Sequence, residues 1–441
     1  MIIFTLLLTL ALGACHAQAK AVFAHFMVGN TENFQVRHWE EQIALAQDAH
    51  IDGFALNMAY GWEHNADQVR NAFAAAGNKA FKLFFSFDYA GGDEPWPDHQ
   101  VIAFMQQYKA HAAHYQHNGL PLASTFEGPK QAANWTGIKT AIGGCFFVPD
   151  WSSLGAHEAV ALASGVADGL FSFDAWPDGA SDMTTAPDRV FLDALATTTP
   201  AGNKTYMMPV SPWFFTNLPG FGKNWLWRGD GLWDLRWRHV LDLAPDYVQI
   251  LTWNDYGERH YVGPVRNKSL GLFTSARAPF NYVEGMPHEG WLKLLPFYIE
   301  RYKTGAAAVK EEALVAYYRP NPAAACESGG TTGNNRAFGQ VELAPHQLVE
   351  DRVFFTALLE TAAEVSVSIG GEEQKGTFTR TPADGGAGVY EGSVEFRGNS
   401  GEVVVTLLRD GKVVATAEGG PWITTNCKGG IENWNAAVIS S

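Results

Sequence analysis

The chain has 441 residues, of which 46% are apolar, 13% aromatic and only 17% charged, with fifteen tryptophans and a formal net charge of −15. This composition excludes a disordered chain and supplies enough apolar matter for two cores at ordinary domain sizes. It also argues against nucleic acid, because no basic run or stripe is present to neutralise phosphates, and a neutral ligand fits better.

Residues 2–12 form an eleven-residue apolar run, too short to span a bilayer, followed by the small-x-small site Ala17-Gln18-Ala19. This predicts a secretory signal peptide over 1–19, although its first residues carry no Lys or Arg and Leu12-Gly13-Ala14-Cys15 could instead be a lipoprotein box. The mature chain is then extracytoplasmic, secreted or wall-associated, with no membrane span. The sequons at Asn134, Asn203 and Asn267 agree with that address. An oxidising compartment favours pairing of Cys326 with Cys427, both in the Gly-rich C-terminal part, and leaves Cys145, inside an apolar run, as a buried thiol.

From Lys20 onward, short β-rich runs alternate with helical periodicity, the pattern of a parallel sheet. Strands are expected over 21–28, 53–59, 82–89, 120–126, 144–150, 169–175, 204–212 and 247–255. Helices fall at 39–50, 66–76, 98–117, 130–140, 154–164, 186–198, 232–243 and 289–302. Eight such units predict a (β/α)₈ TIM barrel over 20–305. A doubly wound sheet would want a Gly-rich phosphate turn after the first strand, and Val28-Gly29-Asn30-Thr31-Glu32 does not supply one. Beyond residue 305, strands over 353–358, 364–369 and 402–409 alternate with Gly-rich turns and predict a β-sandwich over 306–441.

In a barrel, chemistry sits where the strands end. Polar residues stand there in Phe85-Ser86-Phe87-Asp88-Tyr89, Phe147-Val148-Pro149-Asp150-Trp151, Phe171-Ser172-Phe173-Asp174 and Trp253-Asn254-Asp255-Tyr256-Gly257-Glu258. Carboxylates in aromatic settings are costly to bury unless hydrogen-bonded or functional. Asp150, ahead of Trp151-Ser152-Ser153, reads equally well as a cap on the next helix. Asp255 and Glu258 are three apart and share a site only if the chain turns between them, which Asn254-Asp255-Tyr256-Gly257 favours. Paired carboxyls beside aromatic faces are the equipment for glycosidic bond cleavage. Trp62, Trp96, Trp213 and Trp227, in loop-like contexts, read as sugar-stacking faces together with Tyr89 and Tyr256. Trp253 reads as core or site, while Asn57 and His157 read first as structural. His157-Glu158-Ala159-Val160-Ala161 lacks the second His of a metalloprotease helix, so neither a metal nor a cofactor is expected.

Taken together, Gly53-Phe54-Ala55-Leu56-Asn57, Phe85-Ser86-Phe87-Asp88, Phe147-Val148-Pro149-Asp150-Trp151 and Thr252-Trp253-Asn254-Asp255-Tyr256-Gly257-Glu258 resemble the fungal α-1,3-glucanases, or mutanases, of glycoside hydrolase family 71. The likeness spans roughly 20–305 and is weaker beyond. It implies a monomeric, endo-acting enzyme that hydrolyses α-1,3-glucan with inversion. Matching motifs carry the family's catalytic acids onto Asp88, Asp255 and Glu258. The expected assignment is Glu258 as general acid, Asp255 as the base holding water and Asp88 orienting the sugar or sharing the base role, with the first two exchangeable. Asp150, Asp174, Asn57, Trp62, Tyr89, Trp213, Trp253 and Tyr256 are the expected sugar contacts. The competing readings are a related glycosidase or transglycosylase of other linkage, and an inactive α-glucan-binding wall protein. An esterase or peptidase is disfavoured, since no Gly-x-Ser-x-Gly elbow is present.

Overall fold

The computed structural model describes residues 20–197 and 204–441; the predicted leader and the sequon at Asn203 lie outside them. Eight parallel strands come first: β1 (Ala21–Met27), β2 (Gly53–Ala59), β3 (Lys82–Asp88), β4 (Leu120–Phe126), β5 (Phe146–Phe147), β6 (Gly169–Phe171), β7 (Thr205–Val210) and β8 (Tyr247–Ile250). Their order in space is β6-β7-β8-β1-β2-β3-β4-β5, so β2, β3, β4 and β7 lie between their sequence neighbours, β1 pairs with β8, and β5 and β6 stand at the two ends. The intervening helices are α1 (Val36–Asp48), α2 (Asn65–Lys79), α3 (Asp98–Tyr108), α4 (Asn134–Ile142), α5 (Ala156–Ala163), α6 (Ala186–Ala196) and α7 (Leu232–Leu243), with α8 (Leu295–Thr304) last. The result is a mixed α/β fold whose parallel sheet curls. Between β5 and β6 the gap is crossed at Asp150, which bridges Phe126 on one side and Phe171 on the other, while Phe171 N donates to Pro149 O at 2.9 Å.

Both faces of the sheet are covered, which is why its strands read as nearly unbroken apolar runs. The alternation of period two sorts them. Val22, Ala24, Phe54, Leu56, Leu83 and Phe85 meet the helices, whereas Phe23, Ala55, Phe84, Leu122, Phe146, Phe171, Met207 and Tyr247 pack together on the concave side. One step further along five of the strands the concave-side residues become polar, His25, Asn57, Ser86, Ser124 and Gln249, and Asp150 stands two steps beyond Phe146, all of them buried.

The third helix departs from expectation. It stops at Tyr108 rather than His117, and the chain forms a hairpin in which Gln116–His117 pairs with β4 across Asn118-Gly119, both at positive φ. Asn-Gly is the dipeptide such a turn requires. The hairpin places His117 against Phe146, rings 3.5 Å apart, with Nδ1 2.6 Å from the Tyr247 hydroxyl, so it closes the floor beneath the concave cluster. The fifth, sixth and eighth strands are shorter than the apolar runs that suggested them, because their last residues leave the ladder to build loops.

The rest of the chain forms two antiparallel sheets from β9 (Ala313–Tyr318), β10 (Arg352–Leu359), β11 (Glu364–Ile369), β12 (Glu372–Lys375), β13 (Phe378–Arg380), β14 (Gly388–Glu395), β15 (Val403–Arg409), β16 (Lys412–Ala417) and β17 (Ala437–Ser440). They run β13-β14-β10-β9-β17 and β12-β11-β15-β16, and alternate residues of both meet in one cluster that includes Leu314, Phe355, Val367 and Val405. Cys326 and Cys427 form a disulfide, and Cys145 is a buried thiol. Asn134 is exposed at the start of α4, and Asn267 opens a 3₁₀ turn, Asn267–Ser269. No helix among the described residues is long and apolar enough to cross a membrane.

Candidate active site

The polar end of the concave surface is walled by loops that follow the strands. After β8 the chain turns: Asp255 N donates to Thr252 Oγ1 at 2.8 Å, and Asp255 Oδ1 accepts the Glu258 amide at 2.9 Å. That turn overrides the three-residue spacing and brings the two carboxyls together, with His260, to within 4.8 Å. A hairpin after β7, Phe215–Leu218 paired with Lys223–Leu226, swings Lys223 over the same spot. Its Nζ lies 2.7 Å from Glu258 Oε1, and His260 Nε2 lies 3.1 Å from Glu258 Oε2 and 3.8 Å from Asp255 Oδ2. Asp255, Glu258 and His260 are spaced as cation ligands could be, but the Lys223 ammonium already supplies positive charge there.

The two carboxyls are pushed in opposite directions. Burial, then the Glu258 charge, raises Asp255 in spite of His260 and Lys223. Burial alone would raise Glu258 too, but the Lys223 ammonium and the His260 ring outweigh it and hold Glu258 well below the usual carboxylate range. Asp255 is therefore shifted upward and Glu258 downward from their ordinary values. His25, pushed down to about 3 by burial and then by His260, stays neutral and accepts a hydrogen bond from Gln249 Nε2 at 2.8 Å.

Asp88 ends β3 as predicted, and its Oδ1 accepts the amides of Ala90 at 2.9 Å and Gly91 at 2.6 Å. A Cβ at residue 91 would fall 2.3 Å from Asp88 Oδ2, so only glycine permits this cradle. Burial raises the Asp88 carboxyl against those two bonds and one from Asn57, which stands beside it on β2. Beyond Phe126, Asp150 Oδ1 accepts Ser152 N at 3.0 Å and Ser152 Oγ at 2.5 Å, which holds the turn after β5. Its Oδ2 is buried without a partner, and burial together with the nearby Glu127 raises it well above its ordinary value. Glu127 is held by the amide and hydroxyl of Ser153 at 3.1 and 2.5 Å. Asp174 is exposed at the rim.

Several expected aromatic contacts lie elsewhere. Trp253 is fully buried on the helix side, against Phe54, with Nε1 on Gln42 Oε1 at 2.7 Å, because the ladder ends at Ile250 and the alternation lapses beyond it. Trp213 is buried against the C-terminal part, its Nε1 donating to Trp434 O at 3.0 Å. Trp96 is buried with Nε1 on Met58 O at 2.7 Å, and Tyr256 is buried with its hydroxyl on Pro264 O at 2.8 Å. These four are packing residues. Trp62 and Tyr89 remain half-buried in the loops after β2 and β3, and His157 is exposed on α5, away from the strand ends. Sequence reasoning missed Glu127, His25, His260 and Lys223. Glu127 follows the apolar end of β4 and His25 lies two residues beyond the concave-facing Phe23, so the strand-end rule could have found both. Nothing local marks Lys223, which arrives from another loop.

The sequence profile of glycosyl hydrolase family 71 matches residues 18–441. The chain is 33% identical over 425 residues to a mutanase of Penicillium rubens, covering 93% of this chain and 87% of that protein. It is likewise 33% identical over 455 residues to a glucan endo-1,3-alpha-glucosidase of Schizosaccharomyces pombe, covering 99% and 98%. Among solved structures, the GH99 endo-alpha-mannosidase of Bacteroides thetaiotaomicron superposes with a TM-score of 0.50 at 14% identity, over 64% of this chain and 97% of that one, a likeness of fold alone.

Proposed function

The chain belongs to glycosyl hydrolase family 71, and from that premise we infer that it hydrolyses α-1,3-glucosidic bonds within α-1,3-glucan. The observation that carries the mechanism is the contact of Asp255 and Glu258 beneath Lys223 and His260, which shifts the two carboxyls in opposite directions. Asp255 is the general acid: it keeps its proton until the leaving oxygen takes it. Glu258, ionised beneath Lys223 and His260, maintains the proton on Asp255 and stabilises the positive charge that develops on the sugar. An inverting pair needs roughly 6.5–9.5 Å between carboxyls to admit water. The Asp255–Glu258 contact is shorter, so the base comes from another strand. Asp88, cradled at the end of β3 and within the electrostatic reach of Lys223, is the residue we assign to it.

The same reading covers the architecture. The bridges at Asp150 and a concave cluster drawn from all eight strands support a closed (β/α)₈ barrel over 20–305. The shared cluster between the two antiparallel sheets supports a β-sandwich over 306–441. We further propose that the protein is secreted and acts as a monomer on wall or extracellular glucan, consistent with its predicted leader and sequons.

The test is an NMR time course of the anomers released from a soluble α-1,3-gluco-oligosaccharide. Inversion predicts that the β-anomer appears first; early α-anomer would mean a covalent intermediate and overturn the water-holding base. Lys223→Met provides a second check. Lys223 lowers Asp88, Glu258 and Asp255, so its loss raises all three. Activity needs Asp88 and Glu258 ionised and Asp255 protonated, so both limbs of the pH–rate profile are expected to move to higher pH. A downward shift of either limb contradicts the assignment.

A further inference from the structure

The loop 334–341 belongs to the C-terminal third of the chain yet lies over the barrel mouth. Thr332–Gly333 adds a parallel strand to Trp225–Leu226, the outer edge of the hairpin that carries Lys223. Gln340 Oε1 accepts both Trp227 Nε1 at 2.8 Å and Asn335 N at 2.9 Å, and Asn334 Nδ2 donates to Val341 O at 2.8 Å and to Asp178 Oδ1 at 3.3 Å. Asn335 Oδ1 caps the short turn Arg336–Phe338. All this anchoring ends in Phe338, which is 62% exposed. An exposed ring on a firmly held loop contributes little burial to folding and is available to a ligand.

A series of rings joins Phe338 to the catalytic carboxyls. His260, in contact with Glu258, stacks on Phe214 with centroids 5.6 Å apart; Phe214 packs on Trp227 at 4.3 Å; Trp227 stacks on Phe338 at 6.1 Å and on Trp176 at 5.1 Å. We propose that Phe338 is a distal sugar platform, on which a glucose ring of the bound chain stacks away from the scissile bond, so that the C-terminal part contributes directly to substrate binding. The occupant is the glucan itself. The exposed ring is joined to the site through the packed and buried rings of Trp227, Phe214 and His260, a ring face suits the C–H face of a neutral sugar, and a chain of net charge −15 disfavours an anionic polymer. This rests on the α-1,3-glucan reading above.

The experiment uses the full chain carrying Asp255→Asn, with and without Phe338→Ala, and measures by calorimetry the binding of α-1,3-gluco-oligosaccharides of increasing length. Trp422→Ala, which removes another exposed aromatic of the same region, is the control. The expected result is a loss of about tenfold for F338A that grows with chain length and is restored by Phe338→Tyr, while W422A matches its parent. If F338A weakens every length equally, or none, the platform is wrong although the substrate stands. If the Asp255→Asn chain binds no α-1,3-oligosaccharide of any length, the substrate reading falls and takes the platform with it.

Discussion

Replacing Asp255 by Asn is expected to slow glucan hydrolysis by about 10³-fold while leaving glucan binding within a few fold, measured as kcat in parallel with calorimetric affinity. The amide keeps the size of the side chain and an oxygen to accept the Glu258 amide, now at 2.9 Å from Asp255 Oδ1, so the turn survives. What it loses is the proton. The deficit should therefore shrink on a substrate with a strongly acidic leaving group, such as a dinitrophenyl oligosaccharide, whose departure needs no protonation. Asp88→Asn should behave in the opposite way: the good leaving group does not help, but azide, entering where water would, restores turnover as the β-glycosyl azide. If D255N retains a tenth or more of the wild-type rate on glucan, Asp255 is not the acid.

The largest expected effect on stability lies far from the chemistry. Arg236 on α7 and Asp188 on α6 form an ion pair at 2.7 Å with both side chains essentially inaccessible. Arg236 Nη2 also donates to Pro209 O on β7 at 2.7 Å, and the Tyr206 hydroxyl donates to Asp188 Oδ1 at 2.9 Å. Two helices and a strand are thereby pinned at one point. Arg236→Met preserves most of the volume but strands an ionised carboxylate in the core, a change that costs about 3–5 kcal/mol in comparable buried pairs. The measurement is the urea midpoint of the variant against wild type. The double variant with Asp188→Asn should recover part of the loss, since no charge is then left unpaired; a shift below about 1 kcal/mol for R236M alone would show the pair to be dispensable.

Particular elements show why the sequence was readable in some places and not in others. β2, β4 and α7 have the limits predicted for them, because a strand buried on both faces and an amphipathic helix each carry their own periodicity. The helix expected over 98–117 runs nine residues past the observed end at Tyr108, because the chain there follows the hairpin turn at Asn118-Gly119 and not the apolar spacing. Trp213 reads as a sugar contact and Trp253 as core or site, because nothing local distinguishes an indole that meets ligand from one that meets another part of the chain. Only the packing of Trp213 on Trp434 and of Trp253 on Phe54 decides that.

The sequence by itself determined the alternation of strands and helices, the change to antiparallel sheets after the last helix, the family, and the carboxyls Asp88, Asp255 and Glu258 as the residues to watch. Each of these is written in neighbouring residues, through periodicity, turn chemistry or contiguous motifs. The tertiary structure alone decided how those carboxyls differ. Ionisation depends on burial and on charges a few ångströms away, and the charge that matters comes from Lys223, thirty-five residues before Glu258 in the chain, carried there by a hairpin that the C-terminal part holds in place.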